Sequence, residues 1–195
     1  MAASFSTLIG GGTLLTVPVL ILLGLPPHMA VATNRVGVFG LSITGWVAFQ
    51  QQRLIRHKLS WILGVACGVG AIIGTRILLS ISETLLRQII AGVGVALLLF
   101  TLLKKDMGVE TPPDEVTGAA AAHRFGGSIR WLAGIPIAVA LGAYGSVYGA
   151  GLGTFLTYLL VILFGQTFLE SAGTRKVSIG LQALISSFLY YQAGL

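Results

Sequence analysis

Apolar residues fill seven stretches of this chain, about 4–25, 28–50, 59–79, 84–104, 130–148, 152–165 and 168–192, and polar residues gather between them. A helix that crosses the hydrocarbon core of a bilayer needs about 20 apolar residues. Stretches two to five and the last reach that length. The stretch 152–165 is short, and the first is interrupted near its start by Gly10, Gly11 and Gly12. Both predict half-helices or re-entrant hairpins, because irregular backbone at membrane depth is tolerated only where protein or a water-filled cavity surrounds it. The expected fold is all-α, a polytopic membrane protein of six to seven apolar segments.

The two irregular stretches are copies of one another. Shifted by 141 positions without a gap, Gly10, Gly12, Thr13, Leu15, Thr16, Ile21, Leu22, Gly24, Thr33, Val36, Gln51 and Leu54 fall on identical residues. Arg35 falls on Lys176, which keeps a positive charge. Two Gly-interrupted apolar segments in corresponding halves are the sequence mark of a transporter's binding site. The copies divide the chain into a first half, 1–104, a polar linker, 105–129, and a second half, 130–195. Most of 130–141 has no counterpart before Met1, and 55–104 has none after Leu195. The first half is thus short at its N-terminus and the second incomplete at its C-terminus, which predicts a fragment of a longer reading frame.

Composition supports lipid as the solvent. The chain is 55% hydrophobic and 9% charged, with mean hydropathy +0.91, whereas soluble domains carry about 25% charged residues. The net charge of +6 comes from basic residues set between apolar runs and does not read as a nucleic-acid surface. Loops 51–58 and 105–129 hold Arg53, Arg56, Lys58, Lys105 and Arg124, and with Lys104 and Arg130 at the linker's edges this makes seven of the twelve Lys and Arg residues. Positive charge marks the cytoplasmic side, so both loops are placed there in a multi-pass cell-membrane protein. Trp46, Trp61 and Trp131 lie near those ends, as an interfacial belt requires. The stretch 28–50 then runs inward and 168–192 outward, so the repeats are inverted, each with its Gly-broken half-helix.

Two features suggest chemistry. Gly10, Gly11 and Gly12, with Gly149, Gly151 and Gly153, let the backbone break and expose the amides of half-helix N-termini, which favour anions. Packing of small residues at four-residue spacing, Gly145, Gly149 and Gly153, is the competing account. Arg35, Arg175 and Lys176 lie about two turns inside apolar segments, where a charge costs about 2.5–3.5 kcal/mol unless a partner or cavity receives it. Thr33, Asn34 and Thr174 are hydrogen-bonding neighbours, and snorkelling to the interface is the plainer alternative. Glu170 is the carboxylate nearest this region, expected to pair with Arg175 or to relay a proton. No His-Glu-x-x-His or Cys-x-x-Cys run occurs, so neither an enzyme nor a metal or cofactor is expected. Cys67 is the lone cysteine.

Gly-Gly-Gly-Thr-Leu-Leu-Thr-Val-Pro at 10–18, Leu-Gly-Leu-Pro-Pro-His at 23–28, Ala-Thr-Asn-Arg at 32–35 and Gly-Ala-Tyr-Gly-Ser-Val-Tyr-Gly-Ala-Gly-Leu-Gly at 142–153 resemble the two signatures of the TauE/SafE family. These are sulfite exporter and sulfonate permease-like membrane proteins. The resemblance implies movement of small anions, sulfite or sulfonates, past the Gly motifs and the Thr33–Asn34 and Thr174–Arg175 regions. It also implies that part of the first helix and the last two spans are missing. The Thr-Arg-Lys at 174–176 is more basic than the resemblance leads one to expect. An anion channel built on the same residues, or a truncated non-transporting membrane protein, are the alternatives. The expected partners are a small anion and the bilayer.

Overall fold

A computed structural model describes residues 12–52, 54–103 and 127–195. These residues form seven helices and no strand: α1 Gly12–Leu22, α2 Pro27–Gln51, α3 His57–Ser80, α4 Glu83–Leu103, α5 Gly127–Val147, α6 Leu152–Phe164 and α7 Phe168–Gln192. Their limits follow the apolar stretches to within about three residues, apart from α1, because residues 1–11 lie outside the described residues. So does most of the linker 105–129, of which 127–129 already belong to α5.

Local chemistry sets the breaks. Pro27 opens α2 at a position where its missing N–H is not needed. The short helix α6 is bounded by Gly151 at φ 74° and Gly165 at φ 61°, left-handed conformations that side chains resist. Gly24, at φ 95°, follows α1 in the same way. Thr167 and Glu170 then start α7 with a reciprocal capping box, each side chain 3.2 Å from the other's backbone N–H. The α6–α7 pair is bent by 119°.

Among the described residues, α3 and α5 are long and apolar enough to cross a membrane, with a third span if α6 and α7 together count as one. Fewer helices pass than the apolar stretches predict. Both α2 and α7 have 25 residues, about 37 Å, but their polar residues lower the hydropathy. Those residues face inward: Asn34, Arg35, Ser42, Ser171, Arg175, Ser178 and Gln182 are buried, while Val36, Ile43, Trp46, Leu184 and Phe188 face out.

Helix α3 packs between α5 and α7, and α2 lies against α7. The α3–α5 contact is made backbone to backbone. A Cβ at Gly142 would overlap the Cys67 carbonyl, one at Gly70 the Val139 carbonyl, and one at Gly74 that of Ala143. This is small-residue packing, with backbones as close as they can come. One apolar core gathers Leu63, Cys67, Ala138, Leu156 and Leu160, and a second gathers Val17, Val31, Leu78, Leu86 and Tyr190.

At the 51–56 end, Arg56 pairs with Glu170 at 3.3 Å. Glu170 therefore neutralises Arg56 and not Arg175, because its cap geometry holds it at the first turn of α7, more than a turn from Arg175. Replacing Glu170 with Ala removes one side of the cap and the partly exposed ion pair, and is expected to cost about 1 kcal/mol. A thermal melt of the variant checks this; a melt that coincides with the parent's would mean that neither contact contributes.

Candidate functional site

The two copies of the repeated segment meet around one cavity of about 390 Å³. Its walls come from 13–42, in α1 and α2, and from 149–179, in α6, α7 and the turn before α6. Asn34, Arg35, Arg175 and Lys176 all line it, together with Thr33, Gly149 and Gly153. Among the described residues, no carboxylate lines it.

The three basic side chains do not snorkel. Arg35 is 1% exposed, Arg175 2% and Lys176 8%. Each is held differently. Arg35 donates from its guanidinium to the Tyr148 carbonyl, just past the C-terminus of α5, where free carbonyls carry partial negative charge. Its Nε is buried without a partner. Arg175 donates to the Gly153 carbonyl and to Thr157 Oγ1, both at 2.6 Å, and so ties α7 to the first turns of α6. Lys176 makes no hydrogen bond or ion pair with any described residue; its stem lies over Gly45, where a Cβ would come within 2.9 Å of the lysine Cδ and Cε.

Polar groups complete the wall. Asn34 donates to Thr13 Oγ1 at 3.4 Å, between α2 and α1. Arg175 occupies the position 141 residues after Asn34 and reaches α6 in the same manner, toward Thr157 where Asn34 reaches toward Thr13. Thr13, Thr16 and Ser42 line the cavity without having been singled out from the sequence. The signal was present for the two threonines, since both are identical in the two copies. The N-terminal turns of α1 and α6 both reach the cavity, through Thr13 and through Leu152 and Gly153.

Other expected site residues stand elsewhere. Thr174 does not line the cavity: its hydroxyl accepts from Gln166 Nε2 at 3.0 Å and from the Arg56 amide at 3.5 Å, joining the α2–α3 loop to the α6–α7 turn. Gly151 shapes the start of α6 but is not in the wall. Gly12 begins α1, and Gly10 and Gly11 lie outside the described residues. Tyr144, Tyr148 and Tyr158 do not line the cavity either. Among the described residues, no group of three or more His, Cys, Asp or Glu could hold a metal.

Comparison with known proteins finds several relatives of this chain. A "probable membrane transporter protein" of Haemophilus influenzae is 24% identical over 194 residues, covering 100% of this chain and 71% of that protein. The "probable membrane transporter protein YfcA" of Escherichia coli K12 is 25% identical over 177 residues, 91% of this chain and 61% of its own length. A third relative, from Sinorhizobium sp, is 24% identical over 196 residues, with 99% and 70% covered. The chain thus spans about three fifths to seven tenths of these relatives. No solved structure matches it. The family model described as sulfite exporter TauE/SafE matches residues 1–195 throughout, and the chain belongs to that family of membrane proteins.

Proposed function

We propose that the protein carries a small oxyanion, sulfite or a sulfonate, across the cell membrane through the cavity between the two copies. The observation that carries this reading is the convergence of Arg35, Arg175 and Lys176 on one buried space that no carboxylate lines among the described residues. Buried charge of one sign is expensive, and an anion offsets it. The amide-rich first turns of α1 and α6 add partial positive charge at the same place. A volume of about 390 Å³ lies at the small end of ligand sites.

Inverted repeats fit this reading. The limits of α2 and α7 differ by 141 at both ends, the same offset that aligns the sequences. Two such halves rocking about a shared site give alternating access. In this reading Gly10, Gly11, Gly12, Gly149, Gly151 and Gly153 form the breaks. Thr33 and Asn34 hydrogen-bond the substrate, while Thr174 supports the wall from behind. The ends at 51–58 and 105–129 face the cytoplasm.

The test is thermal stability of the detergent-purified chain against sulfite, several sulfonates, sulfate and chloride. Counterflow of the stabilising anion would follow in proteoliposomes. A selective, saturable shift of about 3–6 °C at ten times the dissociation constant is expected. A folded sample indifferent to every anion would refute the site, and ohmic conductance without counterflow would make the protein a channel.

A further inference from the structure

Arg35 and Lys176 stand at opposite ends of the cavity. The guanidinium of Arg35 lies against the turn before α6, where a Cβ on Gly149 would stand 2.6 and 2.8 Å from its terminal nitrogens. The stem of Lys176 crosses Gly45, about 15 Å further along α2. Helices α2 and α7 run in opposite directions here, since Gly180 faces Ser42 while Lys176 faces Gly45. Side chains on a helix lean toward its N-terminus, so the two cations lean apart. Between their levels the wall turns apolar, with Val38 and Leu41 on α2 and Ile179 on α7. Val38 and Ile179 are repeat counterparts, one turn after Asn34 and Arg175. The polar side chains beside them are already engaged: Ser42 donates to the Val38 carbonyl, Asn34 to Thr13 and Arg175 to α6.

Size and charge point the same way. At about 30 Å³ per heavy atom, the share of a water molecule in the liquid, a sulfite ion fills roughly a third of the 390 Å³. It reaches one end and leaves the other buried cation without a counter-charge, which is costly. A ligand that meets both ends needs its two anionic centres about 9 Å apart, once about 3 Å is allowed for a hydrogen bond at each. At about 1.2 Å per bond of an extended chain, that span takes about six carbons. The volume holds about thirteen heavy atoms, which sets much the same upper limit. We propose that the site takes a two-headed anion, two oxyanion groups joined by an alkyl spacer of about four to six carbons. One head pairs with Arg35, the other with Lys176, and the spacer lies over Val38, Leu41 and Ile179. This inference rests on the anion reading of the cavity and narrows it. Sulfonate and carboxylate heads share the required chemistry.

Calorimetric titration of the detergent-purified chain at constant ionic strength tests it. Butane-1,4-disulfonate is expected to bind at least about tenfold tighter than butane-1-sulfonate, because its second head binds intramolecularly. Methanedisulfonate, equal in charge but too short to reach both ends, is expected to bind at least about fivefold more weakly than the butane compound. The same comparison of adipate with hexanoate reads carboxylate heads, and a two-headed advantage in either series supports the proposal and names the head. Lys176→Gln brings two-headed and one-headed anions within about threefold of each other. One-headed and two-headed anions of equal affinity would overturn the proposal and leave the anion site standing. So would an advantage that ignores spacer length or survives Lys176→Gln. A folded sample that binds no anion removes the anion reading and this one together. If the variant does not fold, the spacer series on the parent decides the question by the same outcomes.

Discussion

Lys176→Gln is expected to weaken binding of the proposed oxyanion substrate by roughly ten- to a hundredfold, with the melting temperature of the unliganded protein within about 2 °C of the parent. The size follows from a hydrogen bond to a charged group, about 1.5–3 kcal/mol, in a site that excludes most water. The small effect on the fold follows from what Lys176 touches. Its ammonium has no acceptor among the described residues, so removing it leaves no backbone group unpaired. Arg35 and Arg175 differ, because each holds a carbonyl at a helix end, Tyr148 in one case and Gly153 in the other. Replacing either mixes lost affinity with lost structure, so Arg35→Gln is the less informative variant. Anion titration followed by isothermal calorimetry decides the matter, and an affinity within threefold of the parent would place the substrate away from Lys176.

Gly142→Leu is expected to abolish folded protein, whereas Gly40→Leu yields protein that behaves as the parent does. Both glycines lie inside helices of similar sequence character. At Gly142 the first added carbon already meets the Cys67 backbone; at Gly40 nothing lies within 4 Å. Overpacking against movable side chains costs about 1–3 kcal/mol. Against another helix's backbone no rotamer change relieves the clash, and α3 and α5 must separate along their length. That exceeds about 5 kcal/mol, a large part of ordinary stability. Size-exclusion chromatography of the two variants reads the contrast, and a monodisperse Gly142→Leu sample would show that the helices can part.

Much of this is legible in the chain. The apolar stretches mark six of the seven helices because each carries enough apolar surface to be bounded by its own polar ends. The repeat marks the cavity walls, since 13–42 and 149–179 are the two copies. What cannot be read is set by packing between distant segments. Sequence proximity puts Glu170 beside Arg175, five residues on, but the capping box turns it toward Arg56 in a different loop. Thr174 matches Thr33 in sequence, yet the α2–α3 loop covers one and no element claims the other, so only Thr33 reaches the cavity. Thr13 and Thr16 are visible as identities but silent as site residues, because threonine in an apolar helix is also ordinary packing. The polar row on α7 is equally hidden: at one residue per turn it lowers hydropathy without breaking the helix.

The bend between α6 and α7 gives the molecule a short lever. Its fulcrum is the stretch 165–167, pinned by the Gln166–Thr174 bond and by the cap of α7. The arm is α6 itself, 13 residues or about 20 Å, and its N-terminal end carries Gly153 into the cavity wall. A tilt of about three degrees at the fulcrum displaces that end by about 1 Å. Such a step stretches the 2.6 Å contact from Arg175 to the Gly153 carbonyl beyond hydrogen-bonding range. Arg175 also holds Thr157 Oγ1 on the same helix and lines the cavity, so a change in the angle of α6 is expected to carry through its guanidinium to the cavity wall.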